Sequence, residues 1–152
     1  DDGAIDFDAW DRLLDFHLAE GSDAVVVGGT TGESPALERS ELEELIRRAQ
    51  KRLAGRIPLI AGSGTAGTAK SIVLSQAAEA AGADSLLVVT PYYNRPSQAG
   101  LEAHFRAAAA ATDLPIVRIA AECGYYDQSQ LSRQFRDHVG MAPSDYRATA
   151  RR

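Results

Sequence analysis

Lysine is scarce in this chain. Lys51 and Lys70 are the only two among 16 basic residues, so chemistry that needs an amine nucleophile has two candidates. Cysteine is scarcer still: Cys123 stands alone, which excludes an internal disulfide and fits a reducing compartment, the cytoplasm. No apolar run approaches the roughly 20 residues that a membrane-spanning helix needs, so no membrane partner is expected. The opening Asp1-Asp2-Gly3 has neither a basic region nor an apolar core of the kind that marks a secretory signal. The three histidines, His17, His104 and His138, are far apart and no Cys/His/Asp cluster surrounds them, so no metal site is expected.

What is present reads as a soluble globular domain: 45% hydrophobic and 24% charged residues over 152 positions, enough for one real core. The net charge of −5 is unevenly spread. Residues 118–152 hold six arginines against Glu122, Asp127, Asp137 and Asp145, a net of +2, which leaves −7 for residues 1–117. An acidic body with a basic tail suits two different tasks.

The acidic body alternates strand and helix signals. Asp6 can cap a helix with Phe7, Trp10, Leu13, Leu14, Phe16 and Leu18 near a 3.6-residue period, stopped by Gly21. Short apolar strands are predicted at 24–27, 57–61, 85–90 and from 114. Helices are predicted over 38–53, from a Thr68 cap to 81, and from a Ser97 cap to 111. One βα unit every 30 residues or so implies a parallel sheet with helices outside, either doubly wound or part of a (β/α)₈ barrel. In both, functional residues sit on loops after the strands' carboxyl ends. Two polar motifs do so: Gly28-Gly29-Thr30-Thr31-Gly32-Glu33-Ser34 and Thr90-Pro91-Tyr92-Tyr93-Asn94-Arg95-Pro96-Ser97.

These motifs, with Ile57-Pro58-Leu59-Ile60-Ala61-Gly62 and Ala81-Gly82-Ala83-Asp84, resemble the dihydrodipicolinate synthase family of pyruvate-dependent class I aldolases over residues 1–117. The resemblance implies half of a TIM (β/α)₈ barrel, α/β with parallel strands. It also implies condensation of pyruvate with aspartate semialdehyde through a Schiff base, in lysine biosynthesis. It gives Thr31 the pyruvate carboxylate, Thr30 a place in the proton relay, and Tyr93 the part of a relay tyrosine lent between subunits. A homo-oligomer joined through Tyr92 and Tyr93 follows. Ile119 stands where the family carries a further tyrosine, and the Schiff-base lysine belongs to a later strand than any present. Lys51 and Lys70 fall on outer helices, where no desolvation activates an amine. The strand that precedes residue 1 in the family is missing too, so the expected protein is a truncated lyase, inactive alone. The family's lysine-feedback site keeps Ser34 and Tyr92 but has Arg39, Ala66 and Lys70 in place of His, Asn and Glu, so feedback is expected to be lost.

Gly62-Ser63-Gly64-Thr65-Ala66-Gly67 also fits a dinucleotide-binding GxGxxG. No acid closes a following strand, Asp84 preceding one instead, and the aldolase resemblance is in register. No cofactor is expected.

Beyond residue 117 the rhythm breaks into two short helix signals separated by Cys123-Gly124. Residues 118–147, through Ile119-Ala120, Asp127-Gln128-Ser129, Leu131-Ser132-Arg133, Phe135-Arg136 and Gly140-Met141-Ala142-Pro143, resemble the second helix-turn-helix of AraC/XylS-type transcription regulators. The resemblance implies a short all-α segment that reads DNA with Gln128, Ser129, Ser132 and Arg133, with Arg136 and Arg147 nearer phosphates. The expected domains are therefore 1–117 and 118–152. Three readings compete: a lyase remnant, a DNA-binding regulator, and a mis-joined chimera with neither activity.

Overall fold

The computed structural model describes residues 3–117. The two helix signals expected beyond Val117, and with them Gln128, Ser129, Ser132 and Arg133, lie outside the described residues.

Eight principal elements alternate: α1 Phe7–Ala19, β1 Val25–Val27, α2 Arg39–Leu53, β2 Leu59–Gly62, α3 Thr68–Ala80, β3 Ser85–Leu87, α4 Gln98–Ala109 and β4 Ile116–Val117. The four strands are all parallel and lie side by side in chain order. A doubly wound sheet reverses its strand order at a switch point. This one does not reverse, and α1 through α4 contact one another in sequence. One sheet and one ordered helix layer are the plan of a (β/α)₈ barrel, here with four of the strands.

Residues paired across parallel strands share a face. Val27, Ala61 and Leu86 are in register and buried at 0–1% exposure; they face the helices with Val25, Leu59 and Val88. Helix α2 supplies the matching stripe, Leu42, Leu45, Ile46, Ala49 and Leu53. Burial of each large member contributes about 1.5–3 kcal/mol. The opposite face carries Val26, Ile60, Ser85, Leu87 and Val117, and Val26 is 46% exposed.

Local rules set most boundaries. Asp6 accepts from the Ala9 amide at 2.8 Å and starts α1 as predicted. Glu38 and Glu41 form a reciprocal capping box at α2, and Ser97 accepts from Gly100 N–H at the start of α4. Helices α1 and α2 are tied by Arg48 to Asp11 at 2.9 and 3.3 Å and by Arg52 to Asp15. The Arg48 guanidinium lies 4.8 Å above the Phe7 ring. Each arginine holds its aspartate's pKa below the ordinary carboxylate range, chiefly through the hydrogen bond.

Four expectations need correction. Thr68 is not a cap: Gly67 holds that position, and Thr68 Oγ1 instead meets His104 Nδ1 at 2.9 Å on α4. Strand β2 begins at Leu59 rather than residue 57, where the Asp84 carboxylate accepts the Leu59 N–H at 2.8 Å. Strand β3 ends at Leu87 rather than residue 90, because its neighbour β2 ends at Gly62 and the ladder runs out. Leu13 and Phe16, placed by periodicity on the apolar face of α1, are 46% and 56% exposed. They flank the narrow stripe around Leu14 that actually meets the core.

Candidate functional site

The strands' carboxyl ends converge on a cavity of about 350 Å³ lined by Gly28, Gly29, Thr30, Ser34, Pro35 and Thr90 with Gly62, Gly64, Leu87, Val89 and Tyr92. Its floor is backbone packed on backbone. A Cβ at Gly62 would overlap the Gly28 carbonyl, and one at Gly64 would overlap the Val89 amide nitrogen. Gly28 itself has φ +67°, in the left-handed region that glycine enters without penalty. Glycine at 62 and 64 therefore serves close backbone approach, which accounts for the first two glycines of the GxGxxG spacing; Gly67 has open space around it.

Above this floor the chain makes two consecutive 3₁₀ turns, Thr30–Gly32 and Ser34–Ala36, joined through Glu33 at φ +54°. The first turn uses Gly32 N–H to Gly29 O at 3.0 Å and Glu33 N–H to Thr30 O at 3.2 Å. Those bonds do not engage the amides of Thr30 and Thr31. Turn-start amides beside hydroxyls suit a carboxylate.

The structure brings Thr30 into the cavity; Thr31, one residue on, is exposed and does not line it. Tyr92 lines the cavity while Tyr93 stands 95% exposed outside it. Tyr93 has φ +72°, with Asn94 N–H bonded to Tyr92 O at 2.9 Å. This is the arrangement of a γ-turn, uncommon for a bulky residue. Asn94 also reaches Ala66 O at 3.4 Å, pinning the tyrosine loop to the glycine loop. Lys51 and Lys70 are exposed on α2 and α3, away from the lining. Of the feedback positions, the retained Ser34 and Tyr92 line the cavity, whereas the rewritten Arg39 is engaged by Glu43 at 3.0 Å.

Behind the glycine loop lies a polar layer that motif reading missed. Ser63, Ser71 and Ser75 are buried at 0–1% exposure. Ser75 Oγ donates to Ser63 Oγ at 2.9 Å, and Ser71 Oγ takes the Thr65 N–H at 2.9 Å. Together they fix residues 63–65 against α3. The i, i+4 spacing of Ser71 and Ser75 on a predicted helix was the available signal. His104, 4% exposed, packs beside this layer through Thr68, and burial holds its pKa below the ordinary value. Among the described residues no cluster of His, Cys, Asp or Glu could hold a metal, and no helix is long and apolar enough to cross a membrane.

The dihydrodipicolinate synthetase family model matches residues 1–119. The chain belongs to this family. A 4-hydroxy-tetrahydrodipicolinate synthase of Moorella thermoacetica is 53% identical over 116 residues, 76% of this chain and 40% of the relative. The dihydrodipicolinate synthase of Aquifex aeolicus is 47% identical with a TM-score of 0.73, over 76% of this chain and 40% of that one. The chloride-inhibited synthase of Acinetobacter baumannii, solved in complex with pyruvate, is 41% identical with a TM-score of 0.74 over the same shares. The chain thus spans about 40% of the length of the curated relatives it matches. A second model, a helix-turn-helix domain, matches residues 99–149 and overlaps the dihydrodipicolinate synthetase match from 99 to 119. Both resemblances read from the motifs are thereby supported.

Proposed function

We propose that residues 1–117 hold the keto-acid-recognition half of a class I aldolase site and that this chain alone binds a pyruvate-like keto acid without forming a Schiff base. One observation carries the reading: the cavity has hydroxyls and turn amides at Thr30 and Ser34, while both lysines lie on exposed helix faces. By the family resemblance Thr31 takes the pyruvate carboxylate and Thr30 joins the proton relay; of the two, Thr30 lines the cavity. The exposure of Tyr93 on its turn supports the reading that it serves a second copy rather than its own cavity. Capture of the keto carbonyl by an amine needs an unprotonated lysine within bonding reach. An ammonium exposed on an outer helix, away from the cavity lining, does not offer that proximity. Condensation with aspartate semialdehyde is the reaction this half-site derives from.

The test is borohydride reduction in the presence of pyruvate, followed by intact-mass measurement and peptide mapping. No covalent adduct is expected. A stoichiometric reduced adduct on Lys51 or Lys70 would overturn the reading.

The helix-turn-helix match favours a second role for residues 118–152. That segment would act as a separate module that meets the major groove with Gln128, Ser129, Ser132 and Arg133. Arg133, reading guanine through two hydrogen bonds, would supply about 1–3 kcal/mol of base discrimination. Binding that weakens steeply with salt, and loses sequence preference in Arg133→Ala, would establish this role. Binding indifferent to that substitution would refute it.

A further inference from the structure

The tyrosine loop of the cavity is held from behind, partly by a histidine. Residues 88–97 leave the carboxyl end of β3, carry Tyr92 into the cavity and run directly into α4, whose cap is Ser97. Three contacts fix this stretch and α4 to the loop before α3 and that helix's first residue. Gly64 packs so closely on Val89 that a Cβ would overlap the Val89 amide nitrogen. Asn94 Nδ2 donates to Ala66 O at 3.4 Å, and His104 Nδ1 meets Thr68 Oγ1 at 2.9 Å. Residues 65–68 are themselves a fixed post, since Ser71 Oγ accepts the Thr65 N–H and Thr65 Oγ1 donates to Gly67 O.

We propose that His104 is a positioning residue for the cavity: while neutral it latches α4 to Thr68 and keeps Tyr92 in the lining, and its protonation releases the latch. This rests on the reading of the cavity as a keto-acid site. His104 is 4% exposed, and its other ring nitrogen, Nε2, is buried with no hydrogen-bond partner among the described residues. With Nδ1–H donating to Thr68, Nε2 carries only a lone pair, the milder kind of orphan. A second proton would place an N–H donor and a positive charge there, and neither would find a partner. The charged groups of the two helices do not compensate. Glu102 and Arg106 of α4 pair with each other at 2.7 Å, Glu79 of α3 accepts the Asp113 N–H at 3.1 Å, and Lys70 is exposed. Burial is what lowers the pKa of His104.

An imidazolium at this position must reach water, and movement of α4 away from α3 gives it that access. The tyrosine loop, continuous with α4, moves too. Because neutral His104 holds the latch, pyruvate affinity should be level above about pH 6.5, the ordinary imidazole value, and fall below it. Pyruvate stays ionised throughout this window, so the ligand's own charge does not contribute.

Magnetic resonance of the full ¹⁵N-labelled chain reads the latch without ligand. The amides of residues 65–68 and 92–95 should titrate together with the His104 ring between about pH 7.5 and 5, at unchanged far-ultraviolet dichroism. In His104→Gln that titration should vanish, which separates His104 from His17 and His138. Thr68→Val should move the same amides toward their low-pH positions at about pH 7.5, whereas Thr68→Ser should keep the parent's. Pyruvate titrations then test the consequence. Kd should rise about fivefold or more over this pH range in the parent and less than about twofold in His104→Gln. Amides at 92–95 that stay silent while His104 titrates would overturn the proposal. So would a pyruvate affinity that does not fall with pH, or that falls equally in His104→Gln. A chain that binds no pyruvate at any pH fails the keto-acid reading instead, and the ligand-free titration then decides the latch alone.

Discussion

Replacing Gly62 with alanine adds one carbon where the fold has no room for it. The new Cβ would overlap the Gly28 carbonyl oxygen and sit 2.6 Å from the Gly28 carbonyl carbon and 3.1 Å from the Gly29 nitrogen. All three neighbours are backbone, so no rotamer change relieves the clash. Strands β1 and β2 must separate at their carboxyl ends, where the cavity is built. Overpacking of this kind costs about 1–3 kcal/mol, and the absence of a yielding side chain puts Gly62→Ala at about 3 kcal/mol. With a urea slope of about 1.5 kcal/mol/M, the midpoint should fall by about 2 M. Gly67→Ala is the control, since nothing lies within 4 Å of its Cβ. Its midpoint should move by less than about 0.5 M. Urea titrations of the three proteins, followed by tryptophan fluorescence and far-ultraviolet dichroism, decide the matter. Equal midpoints for Gly62→Ala and the parent would refute the backbone-contact account of the glycine loop and reopen the dinucleotide explanation of its spacing.

Other consequences can be checked with the same material. Ser75→Ala removes the donor to a buried Ser63 hydroxyl and should cost about 1–2 kcal/mol in urea unfolding, whereas Ser40→Ala, on an exposed position, should cost little. His104 is buried with its pKa held below the ordinary value, so the unfolded chain takes up its proton first as pH falls. Its share of stability is complete above about pH 6.5 and is lost below that. The drop in Tm between about pH 7.5 and 5.5 should be smaller in His104→Gln than in the parent; an equal drop would show that His104 does not contribute. Lys51→Ala combined with Lys70→Ala should leave keto-acid affinity within about twofold of the parent, because neither lysine lines the cavity. A larger loss would place an amine in the site.

The sheet was legible because its signals are local and repeated. Val25–Val27 and Leu59–Gly62 are short apolar runs before glycine, and the caps at Asp6 and Ser97 act within one turn of their helices. Three-dimensional facts were not legible. Thr68 has the right residue type for a cap, yet a partner on α4, 36 positions away, claims its hydroxyl. The Gly62–Gly67 spacing suits a phosphate loop equally well until the neighbours of each missing Cβ are known. The site was half legible. The motifs identified the loop that carries Thr30, but not that Thr31 and Tyr93 stay out of the lining that Thr30, Ser34 and Tyr92 share.

The central claim, reversible keto-acid binding in the Thr30 cavity, is tested most directly by amide shift perturbation. Pyruvate titrated into ¹⁵N-labelled chain should move the resonances of residues 28–34 and 87–92 in fast exchange, with recovery on dialysis. Thr30→Val should abolish the response. Perturbations centred on Lys51 or Lys70, or none up to tens of millimolar pyruvate, would contradict the account.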